Sequence, residues 1–108
     1  MKPVAGRLCK ACKPVPEEVR RAADLLERRW IFSLLYASIE GAARFNEFRQ
    51  AVGAIPPNTL ADRLRELEEA GVLQRTLVDA SPPYAEYRLT AHGRKLVPVV
   101  RAMQSWNA

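Results

Sequence analysis

Two groups of residues in this 108-residue chain have types and spacing that could do chemistry. The first is Cys9-Lys10-Ala11-Cys12, a CxxC pair with a second lysine at position 13. One such pair supplies half of the ligands that a structural zinc takes, so a zinc site would need a second copy from another chain. The same thiols could close into a disulfide, and the neighbouring ammonium groups favour the thiolate that either event requires. No βαβ unit surrounds the motif, which removes thioredoxin-like exchange. Free thiols without a role, a redox switch and an intersubunit zinc all remain open at this point.

The second group lies in residues 55–71, IPPNTLADRLRELEEAG. Asn58, Thr59, Asp62 and Arg63 offer the side chains that read base edges in a major groove. Asn pairs bidentately with adenine, Arg with guanine, Asp accepts from cytosine, and the Thr methyl touches thymine. A solvated surface helix with no partner would look the same by composition. Catalysis has no comparable group. There is one histidine, His92, and no nucleophile–base–acid set, glycine-rich phosphate loop or HExxH spacing. Glu17/Glu18 and Glu68/Glu69 read as helix-surface charges, so no enzyme activity is expected.

The elements that must position these residues follow from periodicity. Pro16, Glu17 and Glu18 make a helix start, and Val19, Ala22, Ala23 and Leu26 carry the helix to about residue 27. Trp30, Ile31, Leu34 and Leu35 continue the period as a second helix that ends before Gly41. Phe45, Phe48 and Val52 share one face of a short third helix, and Gly53-Ala54-Ile55 turns the chain. Pro57 opens a fourth helix on the Leu60/Leu64/Leu67 stripe, and Gly71 stands where a C-cap glycine belongs. The period then changes: 72–78 and 84–89 are strands around an Asp79–Pro83 turn. Thr90 caps a last helix bearing Leu96, Val99, Val100, Met103 and Trp106, which Pro98 should kink or split.

Helix, helix, short helix, tight turn, helix, hairpin, helix is a winged helix-turn-helix, mainly α with a small β-hairpin wing. In that geometry the start of the fourth helix enters the major groove. Glu66, Glu68 and Glu69 confine acidity to its other half, which a helix dipping only its first turn can tolerate. Arg44, Arg65, Arg75 and Arg88 are placed to meet the DNA backbone. A winged-helix module that binds protein and no DNA is the alternative from another class.

Composition sets bounds on these readings. Apolar content of 48% and charged content of 27% are ordinary for a folded domain, and the length suits one. The net charge of +5 and pI of about 9.7 favour a polyanionic partner. Lysine stands only at positions 2, 10, 13 and 95; the other cations are arginines, which fork onto phosphate and guanine. Residues 1–15 carry no acid and read as a basic tail ahead of a 16–108 domain. No membrane-spanning run or signal-like segment is evident, so the expected location is the cytoplasm, on the nucleoid.

The residues reached above also carry a resemblance. Leu25-Leu26-Glu27-Arg28-Arg29-Trp30, Arg44-Phe45-Asn46-Glu47-Phe48 and Ile55–Leu64 lie in register with Leu67–Arg75, Pro82–Thr90, Gly93 and Trp106. Over about residues 16–106 this resembles the HxlR-type winged helix-turn-helix transcriptional regulators, relatives of the MarR-like regulators. The resemblance implies a homodimer on an inverted-repeat operator in double-stranded DNA, with 56–66 in the groove. It implies a two-fold interface from the first and last helices, drawing on Val19, Leu26, Leu96, Val99, Val100, Met103 and Trp106. Two departures stand out. Pro56 occupies the usual serine cap, and the position of the family's sensing cysteine falls on Pro16, downstream of Cys9 and Cys12. No cofactor is implied, and an effector is not specified.

Overall fold

The computed structural model describes residues 12–108. Cys9 and most of the basic tail lie outside the described residues. The remaining chain forms α1 (Glu17–Leu26), α2 (Ile31–Ile39), α3 (Phe45–Val52), α4 (Pro57–Glu69), β1 (Leu73–Val78), β2 (Tyr84–Leu89), α5 (Ala91–Arg94) and α6 (Val97–Trp106). It is a winged helix-turn-helix. The expected last helix is two pieces, because Thr90 caps a four-residue α5 by accepting from the Gly93 amide at 2.9 Å, while Pro98 sits in the first turn of α6.

The stripes read from the sequence become one core. Ile31, Leu34 and Leu35 of α2, Phe48 of α3, Leu60, Leu64 and Leu67 of α4, and Leu73 of β1 are essentially inaccessible. Each such burial contributes about 1.5–3 kcal/mol. Ile55, in the turn between α3 and α4, is buried too and pins that turn to the core. Helix α4 therefore cannot roll about its axis without withdrawing three leucines.

Both ends of α4 are defined. Pro56 occupies its N-cap and no side chain caps it, as the proline at that position led one to expect. At the other end Gly71 takes φ 75°. The Val72 amide donates to the Leu67 carbonyl at 2.9 Å and the Gly71 amide to Glu68 at 3.0 Å, a Schellman closure that turns the chain directly into β1. Strands β1 and β2 pair antiparallel, with Leu73 opposite Leu89, Arg75 opposite Tyr87 and Val78 opposite Tyr84. The Tyr87 amide donates to the Ala43 carbonyl at 2.8 Å, so the segment before α3 docks on the outer side of β2.

Candidate nucleic-acid interface

With three leucines of α4 inward, its outer face presents Asn58, Asp62 and Arg65, all exposed, with Thr59 half-buried on the shoulder. Arg65 Nη2 donates to Asp62 Oδ1 at 3.0 Å, with both side chains more than half exposed. Such a pair contributes little to stability; its effect is to present a donor and an acceptor together beside Asn58. Proline at N1 brings no amide, and no side chain covers the amides of Asn58 and Thr59. The start of α4 thus offers polar side chains on a helix end that favours negative charge.

Arg63 does not belong with them. Its side chain is only 17% exposed: Nε donates to the Arg29 carbonyl at 3.0 Å and Nη1 to Glu66 at 3.2 Å. Glu66 also holds Arg28 at 2.9 Å. The reason lies in the α1–α2 junction, where Trp30 takes φ 82°, a left-handed conformation that is strained for a bulky residue. That reversal turns the Arg29 carbonyl toward α4, and the Arg63 guanidinium satisfies it. The expected base reader is therefore a strut between α4 and the junction.

The wing and α3 supply further cations. Arg75 and Arg88, each expected to meet the DNA backbone, sit on opposite faces of the ribbon, because Arg75 pairs across to Tyr87 and Arg88 to Gln74. Both are exposed; Arg88 pairs with Glu86 at 3.3 Å. Arg44 opens α3 and sets its guanidinium carbon over the Tyr84 ring, 3.5 Å from the centroid, a contact that sequence reasoning missed. Nothing in the spacing of positions 44 and 84 announces it; only the docking of β2 beside Ala43 brings them together. The α3 start is less open to anions than its dipole suggests. Glu47 Oε1 accepts from the Ala43 and Arg44 amides at 2.9 Å each, and those bonds hold its carboxyl below the usual carboxylate range.

The expected interface stripe of the terminal helices divides in two. Val100 is buried in the chain's own core, and Leu96 and Leu26 pack partly against it. Val100 is thereby corrected from interface to core. Val19, Val99 and Met103 remain between 41% and 49% exposed, and Trp106 is 85% exposed. Pro98, Val99, Ala102, Met103 and Trp106 line an open apolar trough of about 520 Å³ along α6. Arg101 ties that helix to α2 through Glu40 at 2.9 Å. Cys12 is exposed, ahead of α1. Among the described residues no helix is long and apolar enough to cross a membrane.

This architecture agrees with what known proteins show. A family model described as HxlR-like helix-turn-helix matches residues 25–108. The uncharacterized HTH-type transcriptional regulator YdeP of Bacillus subtilis is 42% identical over 88 residues, covering 82% of this chain and 69% of the relative. The redox regulator HypR in its reduced form superposes with a TM-score of 0.76 at 39% identity, over 83% of this chain and 89% of that one. The reduced form of the transcriptional regulator YodB from B. subtilis gives 0.75 at 30% identity, over 86% and 91%. By sequence and by structure alike, this chain belongs to the HxlR-like helix-turn-helix family and is a transcriptional regulator built on that domain.

Proposed function

We propose that the protein binds duplex DNA sequence-specifically as a homodimer, with the first turn of α4 from each protomer in successive major grooves of an inverted repeat. The observation that carries this reading is the outer face of α4: Asn58, Asp62 and Arg65 are exposed on a helix held in place by Leu60, Leu64 and Leu67. Asn58, Thr59 and Asp62 read base edges; Arg63 sets the pose of the helix that carries them. Arg44, Arg65, Arg75 and Arg88 meet phosphates, and the net charge of +5 draws the protein to the polyanion. A duplex partner places the protein on the nucleoid.

Asn58→Ala weakens binding to a duplex selected from random sequence by about 1–3 kcal/mol and relaxes preference at one position of each half-site. Wild-type log K falls steeply with log salt, by about 0.9 for each phosphate neutralised. Equal affinity of wild type for selected and scrambled duplex, or a flat salt response, would return the chain to the class of protein-interaction modules.

A thiol-responsive reading stands second, because two structural relatives are described as the redox regulator HypR and as YodB in reduced and diamide-treated forms. The CxxC pair at Cys9 and Cys12 is the candidate. Diamide takes two hydrogens from two thiols as the disulfide forms. On this reading diamide shifts the operator affinity of wild type and leaves Cys9→Ser/Cys12→Ser unaffected. An identical response of the two proteins ends it, as would stoichiometric zinc in the purified wild type.

A further inference from the structure

The Arg44–Tyr84 stack joins two elements that a DNA strand would have to touch separately. Tyr84 is the first residue of β2 and Arg44 the residue before α3. Their placement is fixed on both sides. The Tyr87 amide donates to Ala43 at 2.8 Å, and Glu47 holds the Ala43 and Arg44 amides at 2.9 Å. With the backbone fixed on each side of the contact, the guanidinium lies 3.5 Å from the ring centroid, within the range of a strong cation–π contact. Stacking engages only the face of a guanidinium. Its donors lie in the plane, at the edge.

Among the described residues no salt bridge engages the Arg44 guanidinium, although the Glu47 carboxylate feels its charge, and Arg44 is exposed. Arg63, Arg65, Arg88 and Arg101 each hold an acidic partner within 3.3 Å. Arg44 is thus held against an aromatic face while its donors stay available, in a cleft of about 450 Å³ that Asn46, Gln50 and Glu47 also line, the Glu47 carboxylate being engaged by the Ala43 and Arg44 amides. An arginine whose rotamer is already fixed loses less entropy when it forks onto a phosphate.

We infer that Tyr84 is a positioning residue for Arg44: its ring holds the guanidinium edge-out, so that wing and helix-turn-helix grip one phosphodiester of the duplex as a single unit. The inference rests on the DNA-binding reading above. It gives the wing a role beyond adding charge, since moving β2 would move the phosphate contact at α3.

The test is binding of the full chain to the selected duplex across a series of KCl concentrations, with thermal melting as a check on folding. Arg44→Ala lowers the salt slope by about 1 per protomer. Tyr84→Leu lowers affinity about tenfold and adds little in the Arg44→Ala background, whereas Tyr84→Phe, which keeps the ring face, behaves as wild type. Tyr84→Thr, a β-branched residue suited to a strand, is read in parallel in case the leucine variant does not fold. Additive losses for positions 44 and 84, or undiminished affinity in a folded Tyr84→Leu or Tyr84→Thr variant, overturn the inference alone. A wild-type chain with no salt-dependent duplex binding overturns the DNA reading, and the inference with it.

Discussion

Gly93→Ala lowers the stability of the fold by about 3 kcal/mol, at the upper end of what overpacking costs. A Cβ built at Gly93 falls 2.1 Å from the Val72 carbonyl oxygen and 3.1 Å from a Leu89 methyl. The first contact is with backbone that cannot swing aside. Val72 closes the end of α4, and its carbonyl accepts from the Thr90 amide at 3.0 Å. The Thr90 hydroxyl meanwhile donates to the Gly71 carbonyl and accepts from the Gly93 amide. One methyl group therefore presses on the junction of α4, the β1–β2 hairpin and α5 at once. Ala is a better helix former than Gly by about 1 kcal/mol, which acts in the opposite direction and is the smaller effect. A thermal midpoint lower by about 10–20 °C is expected. A variant melting at or above wild type would show that α5 lifts freely from Val72, and that the junction does not fix α4.

Gly93 also marks what the sequence could and could not convey. Gly71 was legible, because a glycine after an amphipathic run has a local reason to be there: a helix end needs a residue that tolerates positive φ. Gly93 has φ in the ordinary range and is required by a close approach to residue 72, which no local pattern announces. The same division runs through the candidate site. Leu60, Leu64 and Leu67 named the inward face of α4 correctly, and the two strands of the hairpin were legible from the change of period after Gly71. Arg63, three residues after Leu60, lies only about 60° round the helix from it at 100° per residue. Helical phase alone could have warned that its side chain leans toward a neighbour. What phase could not supply was the neighbour, a carbonyl freed by the left-handed Trp30 at a junction that reads in sequence as a nearly continuous helix. On α6 the apolar residues were all visible, but whether a stripe packs against its own chain or another depends on how wide a face the core covers. The core takes Val100 and part of Leu96, and stops there.

For the proposed homodimer on its proposed inverted repeat, Val99→Glu combined with Met103→Glu produces a folded monomer whose affinity for the two-half-site duplex is lower by about 10²–10⁴-fold. Val99, Met103 and Trp106 recur at helical spacing on the side of α6 that the core leaves open, and Trp106 is 85% exposed. An aromatic side chain of that size buries about 150–250 Å² when covered. At roughly 25 cal/mol per Å² a two-fold pair of such helices gains several kcal/mol from the tryptophans alone, which offsets a large part of the cost of associating two copies, about 4–15 kcal/mol. Charge at 99 and 103 opposes that burial, because two carboxylates from each protomer would meet in an apolar seam. Neither position lies in the buried core, so the domain keeps its own packing. The loss in binding comes from the operator: two linked reading helices find the second half-site at high effective concentration, and a lone domain does not. Sedimentation should therefore show the variant at monomer mass, its circular dichroism should match wild type, and its affinity for an isolated half-site should be unchanged. A variant that still sediments as a dimer would place the interface elsewhere. A monomer that binds the full operator as tightly as wild type would mean that recognition needs one copy of α4, not two.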